Sequence, residues 1–373
     1  MTIVTVNSAA ALTKALATAH GGDTIDLAPG TYSNISVYKV NFTTPVTITS
    51  QDPAHAAIIS GLSVNLSSGL TFSDLQITPN KGLNSFAGTV YNSNQISFSH
   101  DDFKGSTTVA PSSQAGGLSV QDSTNLSVQN SHFEYVNTAI SDFRNDHVQI
   151  SNNAFDHIGT DGIDNGADGF VMISNNNFTN FSNSIGTAHP DAIQFWTPGM
   201  TTASHDITVT GNVYERGTGT PTQGIYMNDE LGTLPYKNVT ISNNAILGSA
   251  WNGIWLADAV GQVSITGNTV ASWAGQDTNT GANLTGLLAQ IITKNVSGAK
   301  VTETGNSAQS YVVNGSVNQL PAGNSKLGAV SDSGLGLLHN WAAGHSSTLP
   351  SFSSDLLNLL GVGSTVHSSV GLL

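Results

Sequence analysis

The chain has 373 residues, a formal net charge of −14 and no cysteine, and only 9% of its residues are charged. Its 10 Lys and Arg residues are too few for a nucleic-acid-binding surface, and the lack of cysteine excludes disulfides and zinc–thiolate sites. No run of about 18 apolar residues occurs, so we expect no membrane-spanning segment.

The first predicted elements are two strands that flank a helix. The strands are Ile3–Val6 and Thr24–Leu27, and the helix covers residues 9–20. A helix that precedes the first full turn of a stack of strands covers its open apolar end, where core and unpaired strand edges are exposed. The N-terminal residues lack a basic region followed by an apolar core and a cleavage site, so we predict no signal peptide.

Farther along the chain, short strands recur with a turn after each one. Five versions of an alternating apolar strand, each followed by a turn that ends in asparagine, begin at residues 148, 171, 207, 239 and 263. A second series consists of a small residue followed by isoleucine, and Ile163, Ile193, Ile225 and Ile254 recur at intervals of 30, 32 and 29 residues. Strand-and-turn units with a period of about 20–50 residues are typical of a solenoid. The pattern therefore predicts an all-β parallel β-helix.

Equivalent positions of successive repeats are expected to stack in columns. The inward column contains Ile140, Ile163, Ile193, Ile225 and Ile254, and a second apolar column contains Phe133, Phe155, Phe178, Tyr214, Ile246 and Val270. The turn column contains Asn153, Asn176, Asn212, Asn244 and Asn268. Side-chain amides on coils about 4.8 Å apart can bond backbone groups of the neighbouring coil, so we predict a stabilising asparagine ladder.

The repeat runs through most of the chain and indicates one elongated body. We expect residues 1–300 to form the β-helix domain, with about nine to eleven coils and the N-terminal cap. The strand-and-turn repeat becomes less regular after Asn268, where residues 271–298 are consistent with one more irregular coil. Residues 301–373, with Leu-rich patches at 335–338 and 356–360, are expected to pack along the solenoid or to close its C-terminal end.

The segment GGDTIDLAPGTY, at residues 21–32, resembles the opening rung of right-handed parallel β-helix proteins, especially polysaccharide lyases of the pectate and alginate lyase type. The resemblance covers roughly residues 20–270. It implies a right-handed parallel β-helix and an extracellular bacterial protein that acts on a polysaccharide. We expect the protein to be a monomer, with neither nucleic acid nor a membrane as partner.

Residues on the outer face of one sheet suggest where a ligand binds, because alternate residues of a strand point outward. The residue after each anchor isoleucine forms the column Ser141, Asp164, Gln194, Tyr226 and Trp255, and the position two residues before each anchor forms the column Thr138, Asp161, Asp191, Gln223 and Asn252. Aromatic side chains beside polar groups suit a sugar. The predicted substrate-binding residues are Asp161, Asp164, Gln194, Trp196, Gln223, Asn228 and Trp255.

The segment HPDAIQ, at residues 189–194, resembles a His-x-Asp-x-x-Gln segment of secreted bacterial β-helix proteins grouped with polysaccharide lyases. The resemblance implies β-elimination on a uronate polymer such as alginate, pectate, glucuronan or a bacterial exopolysaccharide. We expect His189 as the base, Tyr226 as the acid, and Lys237 or Arg216 as a source of positive charge. Alternatively, His189 is a turn residue satisfied by Asp191, and Tyr226 is only a binding platform.

Two other functions remain open. The segments TDGID and PDAI resemble the catalytic aspartate segments of polygalacturonases, which implies a hydrolase that uses Asp161 and Asp191. The match is partial, because Pro190 replaces an aspartate, Gln223-Gly224 stands in place of His-Gly, and no Arg-Ile-Lys segment follows. The third possibility is a non-enzymatic carbohydrate-binding or adhesive β-helix. C5 epimerisation ranks lower, because the Asp-Pro-His-Glu segment of alginate epimerases is missing.

A cation site is a further prediction. The segment MNDE, at residues 227–230, carries adjacent carboxylates in the turn that leaves the Tyr226 coil. Together with Asp191, the carboxylates of Asp229 and Glu230 form an oxygen-rich set that suits Ca²⁺. A bound cation would join an acidic protein to an acidic polymer.

Overall fold

Each turn of the chain adds one strand to each of three parallel ladders, so the molecule is a parallel β-helix, as predicted. The computed structural model describes residues 1–182, 189–276, 283–284, 288–298, 300–330 and 334–345. Between the strands Thr24–Leu27 and Lys300–Thr304 of the first ladder the chain completes ten coils, within the expected range of nine to eleven coils. No helix in the described part of the chain is long and apolar enough to cross a membrane.

The first ladder, which we call sheet 1, is a 12-stranded sheet. Its strands are Ile3–Val6, Thr24–Leu27, Asn41–Ser50, Ser68–Ser73, Asn94–Ser99, Thr124–Gln129, Asp146–Ser151, Gly169–Ser174, His205–Thr210, Tyr236–Ser242, Ala259–Thr266 and Lys300–Thr304. Inward residues such as Val148, Val171 and Ile207 are in register and buried. Outward residues of these strands are polar or partly exposed, as expected for a sheet with one face in water.

The other two ladders are joined through Ile58–Asn65, which pairs with both. Sheet 2 consists of Gln76–Thr78, Asp102–Lys104, His132–Glu134, Ala154–Asp156, Asn177–Thr179, Val213–Glu215, Ala245–Leu247, Thr269–Ala271, Ser307–Ala308 and Ser325–Lys326. Sheet 3 consists of Thr31–Tyr38, Ile58–Asn65, Phe86–Tyr91, Gly116–Gln121, Ile140–Phe143, Ile163–Gly166, Asp191–Phe195, Gln223–Met227, Asn252–Ala257, Gln290–Lys294 and Ser310–Val313. Two antiparallel pairings also occur, between Gly275–Gln276 and Asn283–Leu284 and between Ser310–Val313 and Ser316–Val317.

The first turn of the solenoid is capped by the helix Ala9–Thr18. The Oγ of Ser8 accepts the N–H of Ala11 and caps the helix N-terminus. Leu12 and Leu16 lie one turn apart on the buried face and join the core. The predicted cap and both flanking strands are therefore confirmed, with the helix ending two residues early. Short 3₁₀ helices occur at Pro53–His55 and Pro111–Ser113.

The predicted core columns are confirmed by the strand register. Ile140, Ile163, Ile193, Ile225 and Ile254 are in register one after another, and each is at most 1% exposed. In sheet 2 the rings of Phe133, Phe155 and Phe178 stack at centroid distances of 5.1 and 4.5 Å. This register also determines which side chains share the outer face.

The turn between sheets 1 and 2 explains why the repeats end in Asn-Asn or Gly-Asn. The first turn residue has a left-handed backbone, with φ of 58° at Asn152, 54° at Asn175 and 66° at Gly211. Asparagine and glycine adopt this conformation most readily. The second turn residue then points inward and forms the ladder, where Asn153, Asn176, Asn212, Asn244 and Asn268 are fully buried. The ladder extends past the prediction to Asn306 and Asn324.

Asn153→Ala is expected to lower the free energy of unfolding by about 3 kcal/mol or more, because three hydrogen bonds are lost from buried groups. The amide of Asn153 donates to Val128 O at 2.9 Å and to Asn176 Oδ1 at 3.0 Å, and its Oδ1 accepts from Ser131 N at 2.9 Å. Urea denaturation would measure the loss. The exposed Asn7→Ala is the matched control, and equal stability of the two variants would contradict a stabilising ladder.

A second ladder, at the turn between sheets 3 and 1, was not predicted. Its side chains accept backbone N–H groups of the previous coil, and its members are Ser93, Ser123, Asn145, Asp168 and Ser204. The sequence signal was available, since each of these polar residues lies just before a strand of sheet 1. Interiors tolerate such groups only when they are hydrogen-bonded.

Strand pairing continues past residue 300. Lys300–Thr304, Ser307–Ala308 and Ser310–Val313 each pair in parallel with a strand of the preceding coil. The domain boundary that the sequence suggested at residue 300 is therefore too early, because this backbone completes the hydrogen bonds of the coil before it.

The helix Leu335–Gly344 packs along the side of the solenoid. Its residues Leu338 and Trp341 are buried against the sheet 2 residues Val213, Leu247 and Ala271. The described part of the tail thus contacts sheet 2. The second Leu-rich patch, at 356–360, and the rest of residues 346–373 lie outside the described residues.

Candidate functional site

The register of sheet 3 brings the predicted outer column together. Asp164 pairs with Gln194, Gln194 with Tyr226, and Tyr226 with Trp255. Adjacent members are therefore about 4.8 Å apart along the ladder. In the neighbouring column Asp191 pairs with Gln223. The Asn252 amide donates to Gln223 Oε1, which holds both side chains in place.

Three aspartates form the acidic part of this site. The Oδ1 of Asp161 accepts the N–H of Asp191 at 2.8 Å, so these residues lie on neighbouring coils as predicted. Asp191 is fully buried, and its Oδ1 has no hydrogen-bond partner among the described residues. Asp164 is partly buried, and its Oδ1 likewise has no hydrogen-bond partner in the described ranges. Unpartnered carboxylate oxygens mark atoms that a ligand is able to use.

Burial and mutual repulsion hold protons on these carboxyl groups. Burial raises the pKa of Asp164 to about 7, and the charge of Asp191 adds to the rise. The pKa of Asp191 is raised to about 6 by burial, which outweighs the opposing effect of its hydrogen bond to His189. Burial first, and then Asp164 and Asp191, raise the pKa of Asp161 well above its ordinary value. Near neutral pH the cluster therefore carries fewer charges than three aspartates suggest.

His189 lies between Asp191 and Tyr226. Its Nδ1 is 3.1 Å from Asp191 Oδ2, and its ring centroid is 5.3 Å from that of Tyr226. The hydrogen bond to Asp191 raises the pKa of His189 above its ordinary value, against the effect of burial. Because Nδ1 faces Asp191, Nε2 is the nitrogen available to a substrate. The side chain is 40% exposed, so a ligand has access to it.

Aromatic rings line the other end of the site. The Tyr226 and Trp255 rings are tilted, with centroids 5.7 Å apart. Burial raises the pKa of Tyr226 to about 12, with Asp191 and Glu230 contributing, so its phenol keeps its proton across the physiological range. Trp255 Nε1 is buried and has no hydrogen-bond partner within the part of the chain that the structure describes. Trp196 is 37% exposed, and its indole N–H donates to Pro198 O.

The two predicted cationic residues lie outside this site. Arg216 is buried, and its guanidinium donates to the carbonyl oxygens of Gly248, Trp273 and Ala274 and to Ser272 Oγ. It therefore ties together loops that follow sheet 2. Lys237 belongs to sheet 1, in register with His205, and is exposed. The structure brings neither residue to His189 and Tyr226, because successive sheets of a coil face different directions.

The predicted calcium ligands do not form one set. Both carboxylate oxygens of Asp229 accept backbone N–H groups, from Leu231 and Gly232 on Oδ1 and from Leu234 on Oδ2. Glu230 Oε2 accepts from Thr197 Oγ1 at 2.9 Å. Asp229 is thus a turn residue rather than a free ligand. Among the described side chains, the cluster with ligand-like spacing is Asp102, His132 and Glu134, on sheet 2.

We expect Asp229→Ala to lower the melting temperature by the same amount with Ca²⁺ and with a chelator. The three backbone N–H groups lose their acceptor in either condition, which costs about 1–3 kcal/mol. Differential scanning fluorimetry with both additives measures the shift, and Asp258→Ala, in another turn, is the control. A destabilisation that appears only with Ca²⁺ would restore Asp229 as a ligand.

Comparisons with known proteins agree with this architecture. Residues 60–272 match the family model described as a right-handed β-helix region. No curated protein matches the sequence. One similar solved structure is PfbA, a surface adhesin of Streptococcus pneumoniae, with 12% identity, a TM-score of 0.51 and coverage of 86% of this chain and 88% of that chain. Another is an alginate lyase from Paenibacillus sp. str. FPU-7, with 15% identity, a TM-score of 0.45 and coverage of 82% of this chain and 99% of that chain. At these identities the likeness concerns the fold, and the family match shows that the chain belongs to the right-handed β-helix family.

Proposed function

We propose that the protein is an extracellular enzyme that cleaves a uronate-containing polysaccharide by β-elimination on the outer face of sheet 3. The observation that carries the proposal is the position of His189, which is hydrogen-bonded through Nδ1 to buried Asp191 and lies 5.3 Å, ring to ring, from Tyr226. A base oriented by a carboxylate next to a protonated phenol is the pair that this chemistry requires.

In the proposed reaction, His189 Nε2 removes the proton at C5 of a uronate. The electron pair of the C5–H bond forms the C4–C5 double bond, and the bond from C4 to the glycosidic oxygen breaks. Tyr226 gives its phenolic proton to that oxygen as it leaves. Asp191 holds the ring of His189 through Nδ1 and stabilises the imidazolium that forms. A water molecule then exchanges protons with both residues and restores them.

The substrate carboxylate must also be neutralised, because its negative charge opposes the removal of the C5 proton. Asp164, whose pKa burial raises to about 7, is able to keep a proton and share it with that carboxylate. Gln194, in register between Asp164 and Tyr226, provides an amide N–H for the same group. Protonated acids thus let an acidic site accept an acidic sugar without a bound cation. Trp255 provides an apolar face for the next ring.

The test is a screen of the purified protein on alginate, pectate, glucuronan and bacterial exopolysaccharides, with ultraviolet absorbance and reducing ends measured together. Elimination produces both signals, because the new double bond is conjugated with the carboxylate. Reducing ends without absorbance would indicate the hydrolase that uses Asp161 and Asp191. Tight binding without any cleavage would indicate a carbohydrate-binding protein, a function consistent with the name of the adhesin PfbA.

A further inference from the structure

A polar groove lies on sheet 3 several coils before the candidate site. Its volume is about 480 Å³. The lining residues come from the strands Thr31–Tyr38, Ile58–Asn65, Phe86–Tyr91 and Gly116–Gln121, and from residues 80–85, which precede the third of these strands. We call it the N-terminal groove.

The floor of the N-terminal groove is a row of hydroxyl groups. Ser36 pairs with Ser63, Ser63 with Thr89, and Thr89 with Ser119. Ser119 in turn pairs with Ser141, and Ser141 with Asp164. The floor is therefore the same outer column that carries Asp164, Gln194 and Tyr226. Four strand spacings separate Thr89 from Gln194, which is about 19 Å.

The walls of the groove are built by hydrogen bonds and close packing. Asn80 Nδ2 donates to Asn34 Oδ1 at 2.7 Å, which fixes one wall. Gly61, with φ of 82°, leaves room for the amide of Asn80, which a Cβ at this position would displace. Tyr91 and Gln121, which are in register on neighbouring strands, also line the groove. The groove is thus formed before any ligand arrives.

The charge of this groove differs from that of the protein as a whole. The chain has 24 Asp and Glu residues, yet none of those in the described part of the chain lines the groove, and Lys81 is the charged residue among the lining residues. Lys81 is exposed at the rim. Hydroxyl and amide groups with one ammonium and no carboxylate match a sugar that bears a carboxylate.

We propose that the N-terminal groove binds uronate residues of a polysaccharide, with Lys81 contacting a sugar carboxylate. The link to cleavage rests on the proposed function, because the same outer column continues to His189 and Tyr226. A chain bound at both places spans about 19 Å. Longer oligosaccharides therefore gain affinity that short ones lack, and cleavage falls inside long chains.

The experiment measures binding by calorimetry in the His189→Ala protein, with alginate and pectate oligosaccharides from disaccharide to octasaccharide and cellohexaose as an uncharged comparison. Lys81→Ala is expected to weaken binding of long uronate oligosaccharides about fivefold, the scale of one exposed charge pair. Ser63→Trp, which fills the floor of the groove, should abolish the gain with length. Lys14→Ala, an exposed lysine of the N-terminal helix, should leave binding unchanged.

The outcomes separate this proposal from the lyase assignment. If the protein without substitutions forms no unsaturated product, the lyase assignment is overturned, but the comparison of binding between the variants still holds. If Lys81→Ala, Ser63→Trp and Lys14→Ala all bind long uronate oligosaccharides with the same affinity, the proposal that the groove binds uronates is overturned. A loss in Ser63→Trp alone, or equal binding of cellohexaose, assigns the groove to neutral sugars and overturns the uronate proposal.

Discussion

His189→Ala and Tyr226→Phe are each expected to lower kcat by about 10²-fold or more on the polymer that the screen identifies, the usual scale of general acid–base catalysis. The first variant removes the base and the second only the phenolic hydroxyl. Both side chains are partly exposed and lie on the outer face, so the core stacks are unchanged. Initial rates of ultraviolet absorbance, measured with saturating polymer, give kcat directly.

His205→Ala is a closely matched control for the histidine variant. His205 is also 40% exposed and pairs with a neighbouring aspartate, Asp206, at 2.9 Å, but on sheet 1. Tyr38→Phe, on an early strand of sheet 3, controls for loss of a phenol. Near-normal turnover in both His189→Ala and Tyr226→Phe would reject the assignment and shift attention to Asp161, Asp164 and Asp191.

The role of Asp191 can be separated from that of His189 by the pH profile. Asp191 raises the pKa of His189, so Asp191→Asn should let the base lose its proton at lower pH. The acidic limb of kcat/KM then moves to lower pH while the maximal rate falls, because the ring loses its orienting carboxylate. An unshifted limb would mean that Asp191 has only a structural role.

The stability of the protein is expected to decrease as pH rises from about 4 to about 8, because several buried carboxyl groups hold protons in the folded state. Asp142, which is fully buried, has a pKa raised by burial to about 7, and burial likewise raises the pKa of Asp168 well above its ordinary value. The unfolded chain releases these protons near pH 4. Stability from such groups is complete below that pH and is lost as pH rises through the folded pKa values.

The expected loss of stability with rising pH is large because each buried carboxyl group contributes separately. A pKa that moves from 3.8 to about 7, as for Asp142, corresponds to roughly 4 kcal/mol. His189 acts in the same direction, because its raised pKa also means that the folded state binds a proton more tightly than the unfolded chain. Carboxyl groups at exposed or partly exposed positions with lowered pKa values, such as Asp122 and Asp206, act in the opposite direction.

Urea denaturation at pH 5 and pH 8 measures this dependence. Asp142→Asn should flatten it, since the amide keeps the shape and accepts the hydrogen bond from Asn145 Nδ2 but does not titrate. Asp206→Asn, at a partly exposed position on sheet 1, should leave a steep dependence. Stability that rises between pH 5 and pH 8, or an unchanged slope in Asp142→Asn, would contradict protonated carboxyl groups in the core.

By itself, the sequence determined how the chain winds into coils and which residues form the outer column of sheet 3. The small-residue–isoleucine anchors and the Asn-Asn turns repeat once per coil, and in a parallel solenoid equivalent residues stack directly. That local rule was enough to place Ile163 over Ile193, Asn153 beside Asn176, and Gln194 beside Tyr226. The same rule failed at the end of the solenoid, because residues 301–306 keep the Gly-Asn turn and the backbone pairing but have Glu303 in register with the core residue Ile265, where earlier repeats have an apolar residue.

Only the tertiary structure decided what surrounds each side chain. Arg216 and Lys237 are close to Tyr226 in sequence but face other directions, because each coil turns its chain through three sheets. The charge of Asp229 predicts a metal ligand, yet its oxygens accept nearby backbone N–H groups. The proton held by Asp142 and the groove beside Lys81 depend on burial and on segments from different coils. A repeat specifies which residues stack, whereas the solvent, hydrogen bonds and charges around a residue depend on parts of the chain that do not repeat.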